Sequence, residues 1–387
     1  MSPTSPSIGL QALAVSVPDQ VLTNDHWHEN HPEIVAEAEQ RIWMWKKPRD
    51  VAEGSEAFNR EMAPYVTDPF RGARKRRFLP PGEKSLAMEA DAARKALAAA
   101  GAAAEDVDLL ICTSFLPDST GIGGATFLAQ ELSLKGAAWN LETACSSNLL
   151  AFQTACGLVK SGQYKRVLVM CSCTYSRVTV ESDPICWGIG DAAIAMVVGE
   201  VEAGYGHLGS HSVHSAATCG AVRYELELDE EMRPYFRLRT GSSASRLLRE
   251  TSEGYLRECS AKALEQAGLS LADIDFCVFN TPLAWYAAFC ARVLGFERSR
   301  TISVYPLYAN VGPALVGLNL FHAAQWGKIE RESRVLLYSV GSVSSCCAAV
   351  VRWGDVALGP PPEDVTLREL EAYEAEVAAA AEELAAA

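Results

Sequence analysis

Two rhythms of apolar and polar positions run along the chain. Ala/Leu-rich stretches with apolar residues every three or four positions predict helices, and short unbroken apolar runs predict strands covered on both faces. The segment RKALAAAGAAAEDVDLLIC at 94–112 combines them as a helix, a glycine stop, an acidic turn and a buried strand. It returns at 261–279 as AKALEQAGLSLADIDFCVF, where Lys262, Leu264, Gly268, Asp273 and Asp275 match Lys95, Leu97, Gly101, Asp106 and Asp108 at a constant offset of 167.

The echo continues downstream. Ala144-Cys145 opens a helical pattern (Leu149, Phe152, Cys156, Val159) that ends at Gly162, and Ala309-Asn310 opens another (Leu315, Leu318, Phe321) that ends at Gly327, with a spacing of 17 from Cys145 and from Asn310. Each helix is followed by an arginine-led apolar strand, at Arg166 and at Arg334, and then by AAIAMVV or AAVV. Chance explains one such match, not three in the same order. The chain divides into a first half over 1–200 with a helical insertion at about 26–65, a second half over 201–356, and an acidic helical tail over 357–387. Alternating strands and helices predict an α/β fold of mostly parallel sheets sandwiched between helices. A pseudo-twofold axis between the halves brings Cys145 and Asn310 toward each other.

Composition narrows the class. Hydrophobic residues make up 49% of the 387 positions, enough for a large core and about two domains. The formal charge of −14 excludes a nucleic-acid binder driven by net charge. Half of it lies in residues 361–387, with eight acidic side chains against Arg368. That tail, with Leu370, Val377 and Leu384 seven apart, reads as a separate appendage, solvated or pairing with a partner. No apolar run approaches the roughly 18 residues of a membrane span, and the twelve cysteines form no paired framework. The expectation is a cytoplasmic, reduced, soluble protein. Ile42, Trp43, Met44 and Trp45 read as a core or dimer contact, and His26, His28 and His31 lack the spacing of a metal site, so no metal is expected.

Cys145 differs from the other cysteines by its place between the strand-like AAWNLETA and the helix SSNLLAFQTACGLVKSG. Unpaired N–H groups and the positive end of the helix dipole there favour the thiolate, below the ordinary value of about 8.5. Glu142 reads as a surface or interface carboxylate.

The segment WNLETACSSNLLAF, the GDAA at Gly190–Ala193, the duplicated halves, YANVGPAL around Asn310 and GARKRRFLP at Gly72–Pro80 resemble the thiolase superfamily, in its β-ketoacyl-acyl-carrier-protein synthase III branch. The resemblance implies a layered αβαβα sandwich and acyl transfer of the kind used in polyketide or fatty acid biosynthesis. An acyl group passes from a coenzyme A or carrier-protein thioester to Cys145, and a second, malonyl-type thioester is decarboxylated to the enolate that attacks it. It also implies an oxyanion hole of main-chain N–H groups from Cys145 and from the late turn at Ser342, an acyl-pocket gate at Gly121, and a homodimer. No tightly bound cofactor follows, only coenzyme A or phosphopantetheine as the carrier of the substrate, with an acyl-carrier protein or acyl-CoA as partner and neither nucleic acid nor membrane. Arg71, Arg74, Arg76 and Arg77, with Lys75, form the one dense basic island and are expected to meet its phosphates.

Two departures matter. The late turn is Val340-Gly-Ser-Val-Ser344, not a run of glycines, and the family's histidine position holds Asn280. With Asn310, Asn280 supplies amide donors for an enolate, but it cannot act as a base. The first reading is therefore a condensing enzyme of specialised metabolism with Cys145, Asn280 and Asn310 at its centre. The alternatives are a non-decarboxylating acyltransferase to an amine or hydroxyl, and a catalytically inactive partner subunit.

Overall fold

The computed structural model describes residues 6–44, 56–241 and 243–386. Trp45 and the side chains of Ile42, Trp43, Met44 and Leu384 lie outside that description.

Each half builds one large sheet, the first joined at its edge by a short strand from the tail. The first has the order Ala357–Leu358, Ile8–Ser16, Asp191–Glu200, Arg166–Thr174, Leu109–Phe115, Ala137–Asn140, and the second Thr301–Ile302, Phe276–Phe279, Arg334–Gly341, Ser345–Arg352, Gly206–His214. Helices Ser147–Lys160 and Leu315–Gln325 lie between the sheets, in one continuous apolar core with residues from both halves. Ser85–Ala99 and Gly124–Glu131 cover the outer face of the first sheet, and Ala244–Ala267 and Tyr286–Leu294 that of the second. The layered αβαβα sandwich is the architecture the duplication implies. The strands are less parallel than expected: Arg334–Gly341 and Ser345–Arg352 are antiparallel, as are Arg166–Thr174 and Asp191–Glu200. The link between Gly341 and Ser345 is too short for a crossover, so the chain must reverse.

The tail is not an appendage. Helix Leu367–Ala386 buries Leu370, Tyr373 and Val377 against the body, three positions on one face of a helix. Its acidic side chains turn toward the basic island: Glu376 meets Arg74 at 2.7 Å, Glu369 meets Lys75 at 2.6 Å, and Asp364 meets Arg77.

That pairing also corrects the expected role of the island. Arg76 is fully buried, stacked 4.5 Å from the Trp27 ring, donating to Trp187 O and, at 2.7 Å, to Asn24 Oδ1. Burial lowers its pKa to about 10. Arg77 is nearly as buried and also donates to Pro18 O, while Arg71 donates to the carbonyls of Tyr65 and Val66. These guanidiniums are consumed inside the protein and offer no open cradle to a phosphate. The histidines near the start are likewise engaged, His26 and His31 both facing Glu181 at 2.8 and 3.4 Å.

Candidate active site

The chain turns sharply just before Cys145. Ala144 has φ +57, a left-handed conformation that costs a non-glycine residue about 1–2 kcal/mol, and helix Ser147–Lys160 begins three residues later. Serines hold this elbow. Ser147 Oγ donates to Ala144 O and accepts from Thr143 N, both at 2.7 Å. Ser146 Oγ donates to Thr143 O at 2.7 Å and reaches Ser345 Oγ at 2.8 Å, while Ser339 Oγ donates to Cys145 O at 2.9 Å. The second half repeats the device: Ala309, before Asn310, also has φ +57.

Ile189 links the two elbows. Asn310 donates its N–H to Gly188 O and forms an isolated bridge with Ile189, which packs with Cys145 in one cluster. Asn310 Oδ1 accepts Gly312 N–H at 2.9 Å, which leaves its amide Nδ2 as a donor without an acceptor among the described residues. Gly341 seals the other side. A Cβ there would stand 2.5 Å from Thr143 O and 2.8 Å from Ser146 N, so only glycine lets the second sheet touch the elbow.

Past Gly341 the chain makes a tight hairpin turn with Ser342 at φ +50 and Val343 at φ +64, closed by Ser344 N to Gly341 O at 3.0 Å. Such a turn normally takes Asn-Gly, and a β-branched residue at positive φ is an outlier. Burial of Val343 against Ala221 and Ala244, and a hydrogen bond from Ser342 Oγ to Val222 O, hold it in place. Ser342 N–H has no acceptor among the described residues, as an oxyanion donor requires.

Asn280 does not face this space as a free donor, which corrects the pairing expected with Asn310. It is fully buried; its Oδ1 accepts Val340 N–H at 2.9 Å and its Nδ2 donates to Val340 O at 3.3 Å. The side chain clamps the strand that delivers the turn. The expected ease of thiolate formation is also corrected. Burial pushes the Cys145 thiol up to about 12, more than the 4.0 Å contact with Tyr175 OH offsets, and the Glu142 carboxylate adds to the rise. Glu142 is solvent-accessible yet sunk among protein atoms, which raises its carboxyl to about 7 despite N–H donation from Ala144 at 2.7 Å. It shares a recess of about 290 Å³ with Gly121, Gly123 and Asn140, a recess that Cys145 does not line. Gly121, at φ +99, has open space around its Cα.

Two tyrosines at the site escaped the sequence reading. Tyr175 follows strand Arg166–Thr174, and its loop is fixed by Ser176 N–H donating to Asp191 at 3.0 Å. Tyr224 comes from the hairpin Val222–Leu228 and Pro234–Thr240. The GDAA motif around Asp191 was the only signal near Tyr175; nothing pointed to Tyr224. His322 pairs with Tyr308 OH at 3.0 Å, is held neutral by burial that lowers its pKa to about 3, and takes no part in the site.

Comparison with known proteins gives a consistent set. The family model described as 3-Oxoacyl-[acyl-carrier-protein (ACP)] synthase III matches residues 139–217, and its C-terminal counterpart matches 264–353. The beta-ketoacyl synthase N-terminal domain matches 88–177. A beta-ketoacyl-[acyl-carrier-protein] synthase III of Rhodospirillum centenum is 31% identical over 294 residues, covering 73% of this chain and 88% of the relative. One from Fusobacterium nucleatum is 24% identical over 357 residues, covering 90% and 99%. Among solved structures, the 3-oxoacyl-(acyl carrier protein) synthase III of Pseudomonas aeruginosa has a TM-score of 0.72 at 18% identity, with 90% of this chain and 98% of that one covered. OleA of Xanthomonas campestris has a TM-score of 0.72 at 19% identity, with 90% and 99% covered.

Proposed function

The chain belongs to the β-ketoacyl-[acyl-carrier-protein] synthase III family of condensing enzymes, and from that premise we propose that Cys145 carries an acyl group which a second, malonyl-type thioester extends. The observation that carries this reading is that Ile189 links the two elbows, bridged to Asn310 with its open amide on one side and packed with the buried Cys145 thiol on the other.

Loading is a thioester exchange. The Cys145 sulfur bonds to the acyl carbon, the carbon–sulfur bond to the carrier breaks, and the thiol proton ends on the departing sulfur. Burial that raises the Cys145 thiol favours the protonated sulfur before the thioester arrives. The Ser342 N–H, unpaired among the described residues, supports its role as a main-chain oxyanion donor. Asn310 then serves the second thioester.

Coenzyme A or phosphopantetheine enters as substrate carrier, and the engagement of Arg71, Arg76 and Arg77 inside the protein leaves them no part in holding it. The absence of a base beside Cys145 among the described residues disfavours transfer to an alcohol. A role in specialised metabolism is supported by Asn280 at the histidine position. A homodimer is supported by the free outer edge of strand Ala137–Asn140 beside the Gly121 recess.

Mixing the protein with acyl-CoA or acyl-carrier-protein thioesters and weighing it intact is expected to show one acyl adduct, absent in Cys145→Ala. No adduct identifies an inactive partner subunit. An adduct that passes to an amine or alcohol, with no carbon dioxide from malonyl thioester, identifies simple acyl transfer.

A further inference from the structure

The hairpin Val222–Leu228 and Pro234–Thr240 lies over the nucleophile. Its antiparallel register sets Tyr224 opposite Leu238 and Leu226 opposite Phe236, so these residues share one face. The inner part of that face, Tyr224 and Leu238, packs with Cys145, Tyr175 and Ile189. The outer part reaches water, with Leu226 63% exposed.

Tyr224 is the polar member of the inner part. Its hydroxyl is buried and meets no partner at normal hydrogen-bond distance, with only a longer interaction with the Tyr175 hydroxyl to satisfy it, an arrangement that a better acceptor would improve. Its ring lies 5.8 Å from Phe115 and 6.4 Å from Tyr175, whose own hydroxyl stands 4.0 Å from Cys145 Sγ. Of the amides expected here, Asn280 is engaged on Val340, while Asn310 uses its Oδ1 on Gly312 and keeps its Nδ2 as a second donor.

We propose that Tyr224 is a catalytic residue whose hydroxyl donates a hydrogen bond to the carbonyl oxygen of the malonyl-type thioester as that oxygen takes on enolate charge. This rests on the condensing reading above. The bond between the α-carbon and the carboxylate breaks, carbon dioxide leaves, and the electron pair moves into the enolate whose oxygen Tyr224 and Asn310 hold. The enolate carbon then bonds to the acyl carbon on Cys145, the carbon–sulfur bond breaks, and the sulfur takes one proton from solvent. Tyr224 keeps its own proton throughout. Burial, with the neighbouring thiols, raises its pKa well above the ordinary 10, so it remains a donor across the working range. Tyr175, against both sulfur and Tyr224, is the positioning residue of the pair.

Tyr224→Phe removes the hydroxyl and keeps the ring. With Cys145 preloaded, carbon dioxide release and extended product are expected to fall about 10- to 100-fold, while the acyl adduct still forms. Because the lost hydroxyl makes no hydrogen bond at normal distance, the variant is expected to melt close to the parent. Tyr235→Phe, on the same hairpin but bonded to Glu227 at the surface, should match the parent in both steps. Carbon dioxide release by Tyr224→Phe within twofold of the parent would overturn the assignment. A parent protein that acylates but releases no carbon dioxide would instead overturn the condensing reading itself.

Discussion

Replacing Asn280 with alanine is expected to destabilise the protein by about 2–5 kcal/mol and to abolish condensation through the strand it holds. The side chain satisfies both the N–H and the C=O of Val340 in a fully buried setting. Each orphaned group costs about 1–3 kcal/mol, and the next residues are Gly341, which touches the Cys145 elbow, and Ser342, which offers its N–H. Reinstating the family's histidine at this position is expected to fail for the same reason, since an imidazole cannot reproduce a two-point amide clamp. Thermal melts and product assays of Asn280→Ala and Asn280→His check this. A gain of condensation in Asn280→His, with an unchanged melt, would mean that position 280 faces the substrate after all.

Removing residues 363–387 is expected to have an effect at least as large. Leu370, Tyr373 and Val377 are each buried against the body, a contribution of roughly 1.5–3 kcal/mol apiece. The deletion also strips Arg77 of Asp364, and a buried guanidinium left without its carboxylate costs about 3–5 kcal/mol. The truncated chain should be insoluble or melt several degrees lower, whereas a chain ending at Ala380 keeps all these contacts and should melt close to the parent. If the long truncation left the melt unchanged, the helix would be the detached tail that its acidic composition implied.

These two outcomes mark where the sequence could be read and where it could not. The duplication was legible because each copy uses one helix–glycine–strand pattern, and the structure extends it to the backbone, with Ala144 and Ala309 at the same φ. Cys145 and Asn310 follow from that symmetry. Asn280 was located but misassigned, because residue type shows that an amide can donate but not which backbone group already holds it. The basic island and the acidic tail, read separately, implied a phosphate site and a free helix. Their neutralisation of each other depends on 287 residues of sequence separation between Arg77 and Asp364, which no local pattern encodes. Tyr224 was invisible for a related reason: it reaches the nucleophile by a hairpin whose register exists only in the fold. The thiol misled in the opposite sense. The helix terminus favours thiolate, but the apolar cluster around Cys145 outweighs it.

The most direct test of the central claim is a single-turnover assay with the acyl group preloaded on Cys145 and malonyl thioester labelled at its free carboxyl carbon. If the protein is a condensing enzyme, one equivalent of labelled carbon dioxide is released for each acyl group lost from Cys145, and the acyl chain reappears, extended, on the malonyl carrier. Loss of the acyl group without labelled carbon dioxide, or no loss at all, would contradict it.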